Sequence, residues 1–330
     1  EMKVAQLAAY VAEKSSYHHG EVSLAETIVK LANDYTGSNN INLLEPCGQF
    51  GTRLMGGKDA SQTRYIFTRL TSEARKIFDP KDDPILNYLD DDGRSIEPEF
   101  YMPALPMVLV NGTEGIGTGF SCYVPPFNPK DISANILNFI SGKGIQRMKP
   151  WFRGFKGRVF YENDTWVTEG VWNVIGQTIK VSELPPGRWT QDYKEHLDTL
   201  TEKKIIGSYT NNSTTEDVNF VIQGYAGKDL IKDLKLHKTV RTSNMHLFHP
   251  TKGIHKYGSA ELILMDFIKL RHEYYIKRKA HLIKVLQAKV DMHNHRAKFV
   301  TMVIDGSLIV FKRKKRDLEV ELSRTFPSVD

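Results

Sequence analysis

Arg64 and Tyr65 are adjacent in the sequence and follow the loop Gly56-Gly57-Lys58-Asp59, which is rich in glycine and carries a lysine. A tyrosine hydroxyl has a pKa of about 10, so it is a nucleophile at neutral pH only where cations stabilise its oxyanion. An adjacent arginine and a nearby lysine are such cations. A tyrosine that attacks a phosphodiester conserves the bond as a phosphotyrosine ester, so the strand can be resealed without a fresh energy source. Taken alone, however, the pair fits an ordinary tyrosine on an amphipathic element better.

His18 and His19 lie between two segments with helical spacing. They could bind a metal, but adjacent side chains point in different directions and no cysteine or carboxylate stands at ligand spacing. Donation by a single histidine to a phosphate oxygen is the better functional hypothesis. A histidine in a plain surface turn explains the sequence equally well.

The segment Gly115-Ile116-Gly117 lies in a run of alternating glycines. Glycine lets a backbone approach a partner closely, and an apolar side chain at the tip of such a segment can wedge between base steps and kink a duplex. The alternative is a β-hairpin turn whose isoleucine folds into the core. The residue pattern alone favours that alternative.

The elements that must position these residues begin with two short helices. Val4, Leu7 and Ala8 follow helical spacing, and a second helix is predicted to start at Ser23, where Ser23 and Glu26 form a capping box. Such a pair resembles a helix-turn-helix, an arrangement that is also common in plain helical cores. The first helix has no capping residue ahead of it, which indicates a fragment or an N-terminus ordered elsewhere.

Short elements follow the two helices. Residues 41–44 are predicted to form a strand in a wing, residues 64–70 a regular element, and residues 107–110 a buried apolar strand. Asp90-Asp91-Asp92 is interpreted as a solvated turn. Residues 126–256 alternate short strands with turns and a few helices, which indicates an α+β domain. Its strands are predicted at 157–161, 166–169, 178–181 and 218–222.

A long helix is predicted near the C-terminus, because 46 consecutive residues from Ala260 to Asp305 contain neither glycine nor proline. At 1.5 Å per residue this helix would be roughly 69 Å long. Leu264, Ile268, Tyr275, Leu282 and Leu286 fit an a/d seam, and so long a helix needs a partner helix. The chain has no second helix of that length, which again indicates a fragment.

The composition excludes several protein classes. With 40% hydrophobic and 10% aromatic residues the 330-residue chain is not disordered, and two cysteines cannot form a disulfide framework, which favours a reducing compartment. No apolar run approaches the ~18–20 residues that span a bilayer, so we expect no membrane partner. The net charge is +6, and from His237 onward there are 19 Lys or Arg against 9 Asp or Glu. That surplus fits either a polyanion partner or a long solvated helix.

Beyond these patterns, the sequence resembles the breakage-reunion region of eukaryotic-type (type IIA) DNA topoisomerase II. The matching segments occur in the same order over nearly all 330 residues, and many of them are specific. They include Tyr17-His18-His19-Gly20-Glu21, Gly48-Gln49-Phe50-Gly51-Thr52-Arg53, Gly56-Gly57-Lys58-Asp59, Arg64-Tyr65-Ile66-Phe67-Thr68, Asn111-Gly112-Thr113-Glu114-Gly115-Ile116-Gly117-Thr118-Gly119 and Pro150-Trp151-Phe152-Arg153-Gly154.

The resemblance implies roles for individual residues. Tyr65 would be the nucleophile that forms a 5′-phosphotyrosyl link, Arg64 would stabilise charge on the scissile phosphate, and His19 would contact that phosphate or assist proton transfer. Ile116, with Gly117 beside it, would intercalate and bend the DNA. Lys58 and Arg53 would contact the DNA backbone.

The resemblance also implies an α+β multidomain fold and a set of partners. Residues 1–105 would form a winged-helix domain, 106–256 an α/β tower, and 257–330 a coiled-coil arm with the start of the C-terminal gate. The partners would be double-stranded DNA and a second copy of the chain in a homodimer. The enzyme would cut a duplex, pass another through the break and reseal it, in the nucleus or, for a viral member, at the replication site in the host cell.

Two modules of the family have no match in this sequence, the acidic metal-binding module and the ATPase domain. We therefore expect Mg²⁺ and ATP to bind the full-length enzyme outside this chain and expect no metal site within it, and the chain alone should bind DNA but cut it poorly. One alternative is a catalytically silent, DNA-bending scaffold that retains the fold. Another treats the long helix as a dimerisation arm of a module unrelated to nucleic acid.

Overall fold

A computed structural model describes residues 1–249 and 251–326 of the chain. The contacts between residues divide it into two units. The first comprises Glu1–Pro80 and Leu86–Arg271, and the second comprises Lys81–Ile85 and the described chain from His272 onward. Helices and antiparallel sheets occur together in the first unit, which confirms the predicted α+β class.

Two helices and a short β-pairing build the N-terminal core. The elements in chain order are β1 (Met2–Lys3), α1 (Val4–Lys14), α2 (Glu21–Ala32), β2 (Phe67–Thr68), α3 (Ala74–Ile77), a 3₁₀ helix (Asp83–Ile85), β3 (Tyr88–Asp91) and β4 (Arg94–Pro98). Helices α1 and α2 bury small and branched residues against the loop residues Leu44, Phe50 and Ile66. Both helices were predicted, and both are present.

Three predictions for this region are wrong. Helix α2 begins at Glu21 rather than Ser23, and the Ser23 hydroxyl donates to the Gly20 carbonyl instead of capping the helix. Residues 41–44 form no strand beyond an isolated bridge at Leu44, and the predicted element at 64–70 is only strand β2. Asp90 and Asp91 lie on the exposed strand β3, so the solvated turn is confined to the residues that follow them.

A one-turn helix leads into a β-hairpin and a longer helix. These elements are α4 (Met107–Val110), β5 (Thr113–Gly117), β6 (Phe120–Val124) and α5 (Pro129–Ile140). Residues 107–110 were predicted to form a buried strand. They are buried but helical, because the Pro106 carbonyl accepts hydrogen bonds from the amides of Leu109 and Val110. A run of four apolar residues fits a buried helix and a buried strand equally well.

The middle of the chain forms antiparallel sheets around a second core. Its elements are β7 (Arg158–Glu162), β8 (Thr165–Glu169), β9 (Val171–Ile175), β10 (Thr178–Glu183), α6 (Thr190–Glu202), β11 (Ser208–Asn211), β12 (Phe220–Gln223), α7 (Leu230–Asp233), β13 (His237–Val240), β14 (Met245–His249) and β15 (Gly253–Tyr257). The sheet orders are β11-β12-β10-β9, β13-β8-β7 and β14-β15. All four predicted strands are present, shifted by at most two residues at either end.

The predicted long helix is present as α8 (Ala260–Ile304), and α9 (Lys315–Thr325) follows it. In the first unit Leu264 and Ile268 of α8 are buried in the apolar core. In the second unit Tyr275 and Leu286 of the predicted seam are exposed. Among the described residues, no helix combines the length and the apolar character needed to cross a membrane.

Buried Asn40 joins several segments of the first unit. Its side-chain amide donates to the carbonyls of Val110, Phe127 and Trp151, and its side-chain oxygen accepts from the Arg153 amide. The backbone of the next residue, Ile41, exchanges two hydrogen bonds with the Asn111 side chain. The loop after α2 is thereby fixed to the segments around α4 and α5.

Replacing Asn40 with alanine leaves several buried backbone groups without a partner. We expect Asn40→Ala to lower the free energy of unfolding by about 3 kcal/mol, because each unsatisfied buried group costs about 1–3 kcal/mol. Urea unfolding followed by circular dichroism measures the change. The control Asn212→Ala, at an exposed loop position, should stay within about 0.5 kcal/mol of wild type. Equal stability of the two variants would contradict the role of Asn40.

Candidate active site

Tyr65 is held in a turn that presents its side chain to solvent. The residue is 66% exposed, whereas the next residue, Ile66, is buried in the N-terminal core. The Tyr65 amide donates to the Gln62 carbonyl, and the Val4 amide donates to the Ile66 carbonyl, which ties the turn to the start of α1. The backbone is thus anchored on both sides of the exposed phenol.

Arg64 lies against the tyrosine. Its guanidinium carbon is 4.9 Å from the centroid of the Tyr65 ring, which is the geometry of a cation–π contact. Arg64 also lines a groove of about 650 Å³ between α2 and the loop that precedes the tyrosine. The side chains of Lys58 and Lys30 line the same groove, together with the single carboxylate of Glu26. Three cations at one groove can bind an anionic backbone.

Lys30 was not predicted as a candidate for this groove. Its signal in the sequence is weak, because it lies on the polar side of an amphipathic helix and resembles any solvated lysine. Lys58 was predicted, and the structure places its exposed side chain at the groove with Arg64.

The loop that carries Lys58 has a backbone that only glycine can follow. Gly51 has φ +95°, and a Cβ there would lie 2.5 Å from the Gly57 Cα. A Cβ on Gly56, which has φ +62°, would lie 2.2 Å from the indole nitrogen of Trp189. Inside the loop, the Thr52 amide and hydroxyl both donate to the Asp59 carboxylate, at 2.9 and 2.6 Å.

Tyr35 supports the same loop from the side. Its ring makes an edge contact with the Trp189 ring at 5.7 Å between centroids. Burial, and then the negative charge of Asp59, raise the pKa of Tyr35 to about 12. The Tyr35 hydroxyl is therefore neutral at physiological pH, unlike a nucleophile that acts as an oxyanion.

Arg53 was predicted to contact the DNA backbone, and the structure contradicts this prediction. The residue is only 5% exposed, and its guanidinium donates to the buried Glu183 carboxylate at 2.5 Å. Glu183 also accepts hydrogen bonds from the backbone amides of Leu184 and Lys156. Arg53 therefore positions the glycine-rich loop and is not available to a phosphate.

His19 lies in the connection between α1 and α2, and its side chain is exposed. Its ring makes an edge contact with the Tyr17 ring at 5.4 Å, and the Tyr17 hydroxyl lies 2.9 Å from the Ser23 hydroxyl. Among the described residues His19 has neither a hydrogen bond nor a ring contact with Arg64 or Tyr65. The structure therefore does not bring His19 into direct contact with the predicted nucleophile.

Ile116 is on strand β5 and is 93% exposed. The interpretation that placed this isoleucine in the core is wrong. It lies near the end of the β5–β6 hairpin, where Gly117 is paired with Phe120 across the two strands. The structure therefore provides an apolar side chain in solvent close to the tip of a hairpin.

The described residues do not fit a resident metal. Across residues 1–249 and 251–326 there is no group of three or more His, Cys, Asp or Glu side chains that could hold an ion. The acidic residues Asp90 and Asp91 lie along an exposed strand and do not converge.

Comparison with known proteins gives extensive similarity. A family model for the A-type subunits of DNA gyrase/topoisomerase IV matches residues 1–328. A protein named DNA topoisomerase 2 from Plasmodium falciparum (isolate K1 / Thailand) is 46% identical over 337 residues, covering 98% of this chain and 24% of that protein. A protein named DNA topoisomerase 2, mitochondrial, from Dictyostelium discoideum is 43% identical over 332 residues, covering 98% of this chain and 26% of that protein.

A solved structure is similar over the same range. It is the crystal structure of the Plasmodium falciparum topoisomerase II DNA-binding, cleavage and re-ligation domain, with a TM-score of 0.93 and 45% identity over 98% of this chain and 46% of that chain. The chain thus spans about a quarter of the length of the two relatives named above.

The assignment of Arg53 to loop positioning predicts a loss of stability. Arg53→Ala leaves the Glu183 carboxylate buried and unpaired, so the free energy of unfolding should fall by about 3–5 kcal/mol. The apolar pair Arg53→Met with Glu183→Leu should recover most of that loss, since it leaves no buried charge. Denaturant unfolding measures both variants.

The control for this experiment is an exposed ion pair. Lys156 and Asp217 are 2.7 Å apart, and both side chains are largely exposed. Lys156→Ala should leave the unfolding midpoint unchanged. If Arg53→Ala is as stable as this control, Arg53 does not position the loop through Glu183.

Proposed function

Because the chain belongs to the DNA gyrase/topoisomerase IV family, in its A-type subunit branch, we propose that it is the DNA-binding, cleavage and re-ligation part of a type II DNA topoisomerase. The observation that carries the proposal is the exposed Tyr65, with the Arg64 guanidinium against its ring at the edge of a groove that Lys58 also lines. The relatives reported above, each named a DNA topoisomerase 2, support it. No observation favours the catalytically silent scaffold.

In the proposed reaction the Tyr65 oxygen attacks the phosphorus of a DNA phosphodiester. A new bond forms between that oxygen and phosphorus, and the bond between phosphorus and the 3′ oxygen breaks. The phenol loses its proton, and the leaving 3′ oxygen gains one. One phosphodiester replaces another, so the reverse attack by the 3′ hydroxyl can reseal the strand.

Cations near the tyrosine would stabilise the charges of this reaction. Arg64 would stabilise the developing charge at the scissile phosphate, and His19 would contact that phosphate or assist proton transfer. Lys58 and Lys30 would hold the backbone of the bound duplex in the groove. When bound, Mg²⁺ would supply Lewis-acid stabilisation of the leaving oxygen. We assign Mg²⁺ and ATP to parts of the full-length protein outside this chain.

Ile116, with Gly117 beside it, would insert between base steps of the bound duplex. An apolar wedge of this kind partly unstacks a step and kinks the DNA. The near-complete exposure of an isoleucine supports this role, because no apolar contact within the chain compensates for its contact with water.

For the architecture, we propose a winged-helix domain at residues 1–105, a tower at 106–256 and a coiled-coil arm with the start of the C-terminal gate at 257–330. Helices α1 and α2, the antiparallel sheets of the middle region and the 45-residue helix α8 support these assignments. We also propose that the full-length protein acts on double-stranded DNA as a homodimer, and exposed Tyr275 and Leu286 on the predicted seam of α8 are consistent with a second chain. A nuclear location stays a prediction.

Tyr65→Phe removes the nucleophilic oxygen and little else. In the full-length protein we expect this variant to lower formation of the covalent protein–DNA adduct by about 10⁴-fold or more, to below detection. Duplex binding should change little, because the ring is retained. Denaturant-trapped adducts on end-labelled DNA provide the measurement. Tyr10→Phe, at another exposed tyrosine, should form adducts at the wild-type level; wild-type adduct formation by Tyr65→Phe would remove Tyr65 from the reaction.

Ile116→Ala removes the wedge. We expect the bend angle of the bound duplex to fall by about 20° or more, since apolar wedges kink DNA by about 20–90°. Energy transfer between dyes at the two duplex ends, at saturating full-length protein, measures the bend. Ile175→Ala, at an exposed isoleucine on β9, should leave it unchanged. An unaltered bend in Ile116→Ala would show that this side chain does not act as a wedge.

A further inference from the structure

Strand β6 is held on its outer side by the residue that precedes β14. The Tyr123 amide donates to the Asn244 carbonyl at 2.9 Å. The Asn244 side-chain amide donates to the Ser121 hydroxyl at 2.6 Å. One asparagine therefore binds two nearby residues of the hairpin strand, one through its backbone and one through its side chain.

The position of Ser121 in the hairpin gives this contact its significance. In the β5–β6 pairing, Ser121 stands directly opposite Ile116. Residues directly opposite each other in an antiparallel pair point to the same face and are close neighbours. The bond from Asn244 is thus made at the cross-strand partner of the exposed isoleucine.

A ring contact adds to the hydrogen bonds. The Phe120 ring lies 5.9 Å from the His246 ring, and Phe120 stands opposite Gly117. Between Asn244 and His246, Met245 is fully buried in the apolar core that also contains Val124 at the end of β6. The segment 244–246 is therefore anchored in the core at its centre and contacts the hairpin on both sides.

A wedge needs such support because insertion between base pairs opposes stacking, at a cost of about a few kcal/mol per step. An isolated two-stranded hairpin is marginally stable in water. Without the brace, the hairpin would bend away from the duplex more readily than it would open the stack. The load on Ile116 passes through Ser121 to Asn244 and from there to the core.

We propose that Asn244 is a positioning residue that holds Ile116 in the orientation required for insertion into DNA. The inference rests on the proposed function, since it requires Ile116 to be the wedge. It assigns no contact with DNA to Asn244 itself. Its effect should therefore depend on the presence of the isoleucine.

The test measures DNA bending in two backgrounds. Single-molecule energy transfer on a dye-labelled duplex, at saturating full-length protein, gives the ratio of bent to unbent complexes. We expect Asn244→Ala to lower this ratio by about fivefold, the size of one hydrogen bond. Ser121→Ala removes the same bond with a smaller change in the protein and should lower the ratio equally, and the double variant should be no worse than either. Asn244→Asp, whose carboxylate can accept from the Ser121 hydroxyl, should restore much of the ratio.

The second background separates positioning from a general structural role. In Ile116→Ala protein, adding Asn244→Ala should change the ratio no further. Asn173→Ala, at an exposed position on β9, is the matched control and should have no effect in either background. Thermal unfolding midpoints of all variants should agree with that of their background.

The outcomes are distinct. If Asn244→Ala leaves bending intact while Ile116→Ala reduces it, the positioning role is wrong and the wedge stands. An equal loss from Asn244→Ala in both backgrounds would show that Asn244 does not act through Ile116, which also overturns the inference. If Ile116→Ala itself leaves bending intact, the wedge in the proposed function fails first.

Discussion

The Arg53 guanidinium and the Glu183 carboxylate meet in the interior of the first unit, across 130 residues of sequence. The contact fixes the glycine-rich loop, because Arg53 belongs to that loop and Glu183 ends strand β10. Two further backbone amides donate to the same carboxylate, so its charge is satisfied on several sides. A buried pair of this kind contributes little net stability but is costly to break, which favours a single arrangement of the loop.

The rest of the candidate site follows from that arrangement. Trp189, a few residues after Glu183, covers Gly56, and the loop then turns through Lys58 toward Tyr65. At each exposed group a neighbouring residue is anchored in the interior. Ile66 is buried beside Tyr65, and Met245 is buried beside the residue that holds the Ile116 hairpin. Exposed chemistry on short loops thus takes its rigidity from adjacent buried residues.

Sequence patterns predicted the parts of this structure that depend on local order. A long run without glycine or proline predicted α8, and apolar spacing predicted α1, α2 and the strands of the middle region. Patterns failed where distant contacts decide the outcome. Arg53 looked like a surface cation because its partner lies far along the chain, and Ile116 looked like a core residue because hydrophobicity alone does not reveal an unoccupied side of a hairpin. The run 107–110 was ambiguous in principle. The resemblance to a family supplied the roles of Tyr65, Arg64 and Ile116, which periodicity could not.

The central claim is that Tyr65 becomes covalently linked to a 5′ phosphate of DNA. The direct measurement is to trap the adduct of the full-length protein with denaturant, digest the DNA and the protein, and locate the nucleotide-bearing peptide by mass spectrometry. The account predicts a single modified peptide that contains Tyr65, with the phosphate attached to the tyrosine oxygen and a free 3′ hydroxyl on the other DNA end. A nucleotide on any other residue, or a 3′ phosphate linkage, would contradict it.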